Sequence, residues 1–401
     1  MNPRPFRIVR VQPQFAPAWS FGGVVTTAEA VVRELARRGH RCRVVTTDNG
    51  VEPGVPRDRW VERDGYEVYY ARTGALHRRV PYWSPMLRAP LREAFARADL
   101  ADLHVGLSLA TVLAADLARR AGLPYVYNAE GALCPRRLRI KGLRKALFLR
   151  LFERRTLRGA AAVQALTEKD RRDAIAQGAP PERVHVIPNG VPLPAPPSAP
   201  RAPGPLRRRL GIPGDAVLVL FLGRLARIKG VDLLLEAFAR ARRPSDRLVF
   251  VGPAEEGVRA DLEDRIRKAG LGSRVHLEDP VPPSARDAVL RDADIFALCS
   301  RTEGLPMAVL EACAAGLPCL VTPSCNLPEI AEAGAGACAP EDPAALAEAL
   351  RPLLDDPALR ARSSEAARSL IEERFSLPAV VDRLEELYAS VRNPGSGATR
   401  G

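Results

Sequence analysis

No run of about 18 consecutive apolar residues occurs in this 401-residue chain, so the sequence predicts no membrane-spanning helix. The opening MNPRPFRIVRVQPQF has no basic segment leading into a long apolar core and predicts no secretory signal peptide. No two of the seven cysteines (Cys42, Cys134, Cys299, Cys313, Cys319, Cys325 and Cys338) form a C-x-x-C pair, and several sit in apolar runs such as AVLEACAAGLPCLV. That pattern predicts buried thiols in a reducing, cytoplasmic setting rather than a disulfide framework or a zinc site. Aromatic residues make up only 5% of the chain and form no interleaved platform, which weighs against a nucleic-acid-binding protein. No G-x-G-x-x-G follows the first apolar strand, which weighs against a dehydrogenase. The five histidines form no constellation. His104 follows a short apolar run and reads as a core or surface histidine, with approach to a ligand site as the alternative.

What is present points to a two-domain α/β protein. The length exceeds the roughly 250–300 residues that one hydrophobic core supports. Apolar residues reach 46%, enough for real cores. Formal net charge is +13, carried mostly by Arg, and favours anionic partners such as nucleotide phosphates, nucleic acid or acidic lipid. Arg-rich composition is also a habit of whole proteomes, so charge alone decides little. Prolines cluster between Pro188 and Pro205, the mark of a linker. On either side, short apolar runs alternate with segments of helical spacing. Before the linker the strands are Phe6 to Pro13, Arg43 to Thr47, Tyr66 to Ala71, Leu100 to Val105, Pro124 to Asn128, Ala162 to Leu166 and Val184 to Ile187. After it they are Val217 to Leu222, Arg247 to Val251, Val275 to Leu277, Ile295 to Cys299 and Cys319 to Thr322. Such alternation predicts parallel sheets with helices on both faces.

Three loops stand where a strand hands over to a helix, the place where open α/β sheets bind ligands. The first holds Gly22 and Gly23, which either bring backbone amides and a helix N-terminus to a phosphate or simply make a tight turn. The second, Gly223-Arg224-Leu225-Ala226-Arg227-Ile228-Lys229-Gly230, places a guanidinium and an ammonium where they can converge on a diphosphate. The third runs from Glu303 through Gly304, Leu305, Pro306 and Met307 to Glu311. Its two carboxylates suit sugar hydroxyls. Glu311 falls within the small apolar run AVLEACAAG, so its charge needs a partner.

The GRxxxxKG loop followed by EGLPxxxLEAxAAGxP resembles the retaining glycosyltransferases of the GT-B fold, family 4. The E-x7-E pair Glu303 and Glu311 is the most recognisable feature. GGV near the start, IPNGV at the first domain's end, Ala293 to Ser300 and the closing FSLPAVVDRLEELY extend the likeness over nearly the whole chain. The resemblance implies two Rossmann-like doubly wound domains facing a central cleft. It places an acceptor-side domain at 1–190, a Pro-rich linker at 191–205, a donor domain at 206–375, and a helix at 376–401 that packs back on the first domain. It implies that Arg224 and Lys229 neutralise the donor diphosphate in place of a metal, so no metal or other cofactor is expected. Glu311 would bind ribose, and Glu303 the donor sugar. Gly223 and the turn Gly304, Leu305, Pro306 and Met307 would line the donor, and Gly22 and Gly23 would close over the phosphates. The implied partners are a nucleotide-sugar and a glycan or lipid-linked acceptor, with no nucleic acid.

One position departs from the family. Many relatives carry His-Gly after the strand matching Tyr125 to Asn128, whereas here Glu130 precedes Gly131. Glu130 is expected to face the donor sugar or act as a general base; local capping is the alternative. The basic stretch 136–158 interleaves Arg and Lys with Leu, Ile and Phe. It reads equally as a helix with a solvated basic face or as a contact with an anionic membrane at the inner face of the plasma membrane. A nucleotide-sugar epimerase or a non-catalytic nucleotide-sugar binder of the same fold are the competing functions.

Overall fold

The apolar runs become the strands of two separate sheets in a computed structural model, which describes residues 4–74, 82–139, 142–194, 204–241 and 243–392. The chain divides into one unit of Met1–Gly190 with Leu377–Gly401 and a second of Val191–Ser376. The first sheet contains β1 (Arg7–Val11), β2 (Arg41–Thr47), β3 (Trp60–Arg63), β4 (Tyr66–Ala71), β5 (Leu100–His104), β6 (Tyr125–Asn128), β7 (Ala162–Ala165) and β8 (Val184–Val186). Among the described residues its order is β3-β4-β2-β1-β5-β6-β7-β8. Every pairing is parallel except β3 with β4. The second sheet contains β9 (Leu218–Leu222), β10 (Arg247–Val251), β11 (Val275–Glu278), β12 (Ile295–Leu298), β13 (Cys319–Val321) and β14 (Gly336–Cys338), in the all-parallel order β11-β10-β9-β12-β13-β14. Both orders reverse direction in the middle, at β1/β5 and at β9/β12. Each unit is therefore a doubly wound fold with a switch point where adjacent crossovers part to opposite faces and leave a crevice.

Local chemistry explains the key helices. In Gly23–Arg37, Val25, Ala28, Val31, Val32 and Leu35 are buried at helical spacing, the valines and the leucine each worth about 1.5–3 kcal/mol on burial. Gly22 caps the start at φ +69°, ψ −142°, a conformation that a side chain resists. The helix Leu377–Arg392 lies against it and buries Val380, Val381, Leu384, Leu387, Tyr388 and Val391. Arg38 binds Asp382 at 2.5 Å and Glu385 at 3.1 Å, and His40 Nε2 meets Glu385 at 2.8 Å, so the last helix is fixed to the first unit by charge as well as packing.

Several elements escape the apolar-run criterion. β3 is half-buried at an antiparallel edge, and β14 is the short Gly-Ala-Cys. The helices Pro343–Asp355 and Pro357–Leu370 begin on Asp342 and Asp356, whose carboxylates accept from two backbone amides each. Their Asp-Pro starts were available as N-cap signals. At both ends of the Pro-rich segment 191–205 the backbone is hydrogen-bonded within the second unit. Val191 N–H donates to Phe375 O at 2.9 Å, Gly204 N–H donates to Asp292 at 2.6 Å, and the helix Pro205–Leu210 follows. Residues 195–203 of that segment and the tail 393–401 lie outside the described residues. The helix expected over 142–157 is interrupted by a π-helical turn at Leu149–Glu153, because Glu153 turns inward to accept from Leu107 N–H at 3.1 Å and from the Tyr127 hydroxyl. All seven cysteines carry free thiols and all but Cys338 are buried.

Candidate active site

In the second unit, the loops that follow β9 and β12 meet at the switch point. Gly230 makes the meeting possible. It sits at φ +67°, and a Cβ there would lie 1.8 Å from the Cys299 carbonyl oxygen. Backbone bonding of Arg301 N–H to Ile228 O at 2.8 Å, and an Arg301–Asp232 ion pair at 2.8 Å, lock the two loops together. Lys229 is thereby delivered to Glu303, with Nζ 2.6 Å from Oε1. The same oxygen accepts from the Ser300 hydroxyl at 2.6 Å. Asn326 Nδ2 donates to the carbonyls of Glu303 at 2.8 Å and Gly304 at 3.2 Å, which holds the turn into the helix Met307–Ala314. The Glu303 side chain is 9% exposed and that of Lys229 25%, so this ion pair is partly desolvated yet accessible.

The other members sit apart from this pair. Arg224 follows β9 but binds Glu255 rather than converging with Lys229, and its side chain is more than half exposed. Glu311 lies on the helix Met307–Ala314 and finds the partner its apolar surroundings demand in Arg286. Burial pushes the Glu311 carboxyl above the usual carboxylate range, against the pull of the Arg286 guanidinium. Gly223, Gly304, Leu305, Pro306 and Met307 occupy the two loops; Leu305 and Met307 pack against the second unit's core. Arg286, Glu255 and Asn326 do not stand out in the sequence, and Ser300 does so only as the end of the stretch Ala293 to Ser300. Of the first three, only Arg286 had a signal, the need of Glu311 for a counterion.

In the first unit, Gly22 is exposed at the start of Gly23–Arg37, with open space around its Cβ position. Glu130 lies beyond β6 in a left-handed conformation, φ +50°. Its N–H donates to Asn128 Oδ1 at 2.8 Å, and its carboxylate meets His104 Nδ1 at 3.0 Å. His104, read from the sequence as a core or surface histidine, is buried, and it ends β5 beside the β1/β5 switch point. Its Nε2 meets buried Asp102 at 3.0 Å. Burial pushes the Asp102 carboxyl up, but His104 and Arg10 overcome it and hold it at about 2.

Known proteins match both units. Residues 205–370 match the family glycosyl transferases group 1, and residues 22–190 match the glycosyl transferase 4-like domain. A D-inositol 3-phosphate glycosyltransferase of Kineococcus radiotolerans is 31% identical over 416 residues, 92% of this chain and 90% of that protein. Another, from Catenulispora acidiphila, is 35% identical over 235 residues; that match spans 55% of this chain and only about half, 54%, of the relative. Among solved structures, Anabaena Alr3699/HepE in complex with UDP-glucose superposes with a TM-score of 0.72 at 20% identity, over 96% of this chain and 99% of that one. At that identity the likeness speaks for the fold alone. The chain belongs to the group 1, family 4 glycosyltransferases and has the GT-B fold of two parallel-sheet α/β domains.

Proposed function

We infer that this protein transfers a hexose-type sugar from a nucleotide-sugar to a glycan, glycolipid or lipid-linked acceptor, with retention at the anomeric carbon and without a metal ion. The observation that carries this reading is the Lys229–Glu303 pair, held by Gly230 and Ser300 at the β9/β12 switch point. A donor diphosphate placed there draws the Lys229 ammonium to its oxygens and leaves Glu303 to accept from sugar hydroxyls. Arg224 on its exposed stem swings from Glu255 to the same phosphates. Glu311, set against Arg286, accepts from the ribose hydroxyls. Amides of the turn Gly304–Met307 touch the sugar or phosphate, Gly223 leaves room for the nucleotide, and Gly22 and Gly23 bring backbone amides to the phosphates. Glu130 faces the transferred sugar. The UDP-glucose bound by the Anabaena protein makes uridine the first nucleotide to test.

A thermal-shift screen of UDP-, GDP-, ADP- and dTDP-sugars in EDTA tests this donor assignment. One nucleotide family at about 100 times its dissociation constant stabilises the wild type by roughly 2.7 kcal/mol and leaves the Arg224→Ala/Lys229→Ala variant unmoved. Stabilisation of neither protein, or of both equally, counts against the phosphate site.

The acceptor side carries its own observation. Leu143, Leu147 and Leu151 recur every fourth residue at 89%, 57% and 54% exposure, and Arg144, Arg150, Arg154, Arg155 and Arg158 beside them are exposed. Leucines so exposed suit insertion at an anionic bilayer surface, which would bring the enzyme to a lipid-linked acceptor at the cytoplasmic face of the membrane. Among the described residues no helix is long and apolar enough to cross a bilayer. Co-sedimentation with vesicles containing anionic lipid is expected for the wild type and lost in Leu147→Asp/Leu151→Asp. Equal sedimentation of both proteins overturns the membrane contact.

A further inference from the structure

Beneath the Glu130 loop lies a buried chain of charges drawn from several elements. Arg10 on β1 binds Asp102 on β5 at 3.2 Å and Gln12 at 3.1 Å. Asp102 also accepts from the Tyr388 hydroxyl of the last helix at 3.1 Å. His104 joins Asp102 through Nε2 at 3.0 Å. Arg10, Asp102, His104 and Tyr388 are all at most 6% exposed, and Glu130, at 14%, is the most open of the chain's ionisable members. So many charges taken out of water cost free energy unless the arrangement is satisfied, and a purely structural core would be cheaper in apolar residues.

The geometry at His104 Nδ1 is what the packing alone does not explain. That nitrogen lies 3.0 Å from Glu130 Oε1 and 3.2 Å from Arg10 Nη2. A carboxylate accepts a proton there, whereas a guanidinium only donates. One nitrogen cannot serve both. With a proton on Nδ1 the imidazolium donates to Glu130, and the nearby Arg10 is tolerated because the Asp102 carboxylate contacts both cations. Once that proton passes to solvent, the Nδ1 lone pair accepts from Arg10 and Glu130 loses its anchor.

We propose that His104 is a positioning residue for sugar transfer, which in its protonated form holds the Glu130 carboxylate in place and on deprotonation turns to Arg10 and releases it. This rests on the reading that Glu130 faces the transferred sugar. The surrounding groups favour such a switch. Burial and Arg10 push His104 down, but Asp102 and the hydrogen bonds to Asp102 and Glu130 outweigh them and raise it above its ordinary value. Three neighbouring hydroxyl and thiol groups stay neutral through this range. Burial pushes the Cys42 thiol on β2 up to about 12 and the Tyr388 phenol well above its usual value. It also holds the Tyr127 phenol, beside Glu130, well above its usual value. The sign follows from a raised histidine. Its contribution to stability is complete below about pH 6.5 and is lost as pH rises through the folded-state value.

The test pairs kinetics with spectroscopy on the full chain. The kcat/KM of the wild type, His104→Gln and Glu130→Gln is measured from about pH 6 to 10, and the 15N resonances of the wild-type histidines are followed over the same range. The wild type is expected to lose about tenfold or more of kcat/KM through one titration, and His104 Nδ1 to deprotonate with the same midpoint. His104→Gln is expected to be low and flat across that range. In Glu130→Gln the kinetic step vanishes, while the His104 resonance still titrates, at a lower pH because one acceptor of its proton is weaker. The proposal is overturned if the wild-type step persists in His104→Gln, or if wild-type Nδ1 does not titrate in this range. Should Glu130→Gln turn over normally at every pH, the site role of Glu130 fails and the inference fails with it. The wild-type spectra need no substitution, so a variant that folds poorly does not block the test.

Discussion

Replacing Lys229 by Ala is expected to lower kcat/KM by about 10²–10³, equivalent to about 2.7–4 kcal/mol of transition-state stabilisation. The leaving nucleotide gains charge as the glycosidic bond breaks, and a cation fixed in a partly desolvated site acts on that charge far more strongly than one in water. Lys229 is such a cation, since Gly230 and the Ile228–Arg301 backbone bond fix its loop and Glu303 fixes its ammonium. Arg224→Ala is expected to lose less, because that side chain is more than half exposed and must leave Glu255 before it can help. The Lys229→Ala change also strands the Glu303 carboxylate with, among the described residues, only the Ser300 hydroxyl, which lowers stability. The double variant Lys229→Ala/Glu303→Gln recovers that stability without recovering activity. Chemical denaturation and steady-state kinetics on the same preparations separate the two effects. If Lys229→Ala keeps wild-type kcat/KM, the cation has no role in catalysis.

Gly230→Ala is expected to be among the most damaging single-methyl additions in the second unit, costing roughly 2–5 kcal/mol of stability. Two causes add. The position is left-handed at φ +67°, which costs an L-residue about 1–2 kcal/mol. The new Cβ also falls 1.8 Å from the Cys299 carbonyl oxygen, so the β9 loop must withdraw from the end of β12, at a cost typical of overpacking, about 1–3 kcal/mol. Withdrawal takes Lys229 away from Glu303, so activity falls even where the protein remains folded. Gly214→Ala, at an ordinary φ with open space around the added methyl, serves as the control and is expected to be nearly neutral. Urea denaturation of both variants measures the difference; equal midpoints for the two would contradict the packing argument.

The sequence made most of the fold legible because parallel strands buried on both faces read as unbroken apolar runs. VLVLFL and RLVFV need no other evidence to become β9 and β10. β3 and β14 lack that signature, one at a half-exposed edge and one too short and small to carry it. The loops of the proposed donor site were legible from glycine placement: Gly230 precedes a helix and does demand a left-handed turn against a neighbouring backbone. What sequence could not give was pairing. Lys229 and Glu303 are 74 positions apart and meet only because β9 and β12 are neighbours. Arg10, Asp102 and His104 lie at buried positions of strands that are mostly apolar, and charges buried there call for partners. Which partners depends on the strand order, and short-range periodicity does not carry it. Glu130 stands out in the sequence as a departure from a family pattern, but its link to His104 arises from the parallel pairing of β5 with β6.

The most direct measurement of the central claim, a donor diphosphate held at the Lys229–Glu303 pair, is a calorimetric titration of UDP and UMP into wild type and Lys229→Ala in EDTA. A charge-assisted contact to the second phosphate is worth about 1.5–3 kcal/mol. The account therefore expects UDP to bind the wild type roughly 10 to 100 times more tightly than UMP, and that advantage to shrink to about threefold or less in Lys229→Ala. An advantage of UDP over UMP that is the same in both proteins would contradict it, and would place the second phosphate away from Lys229.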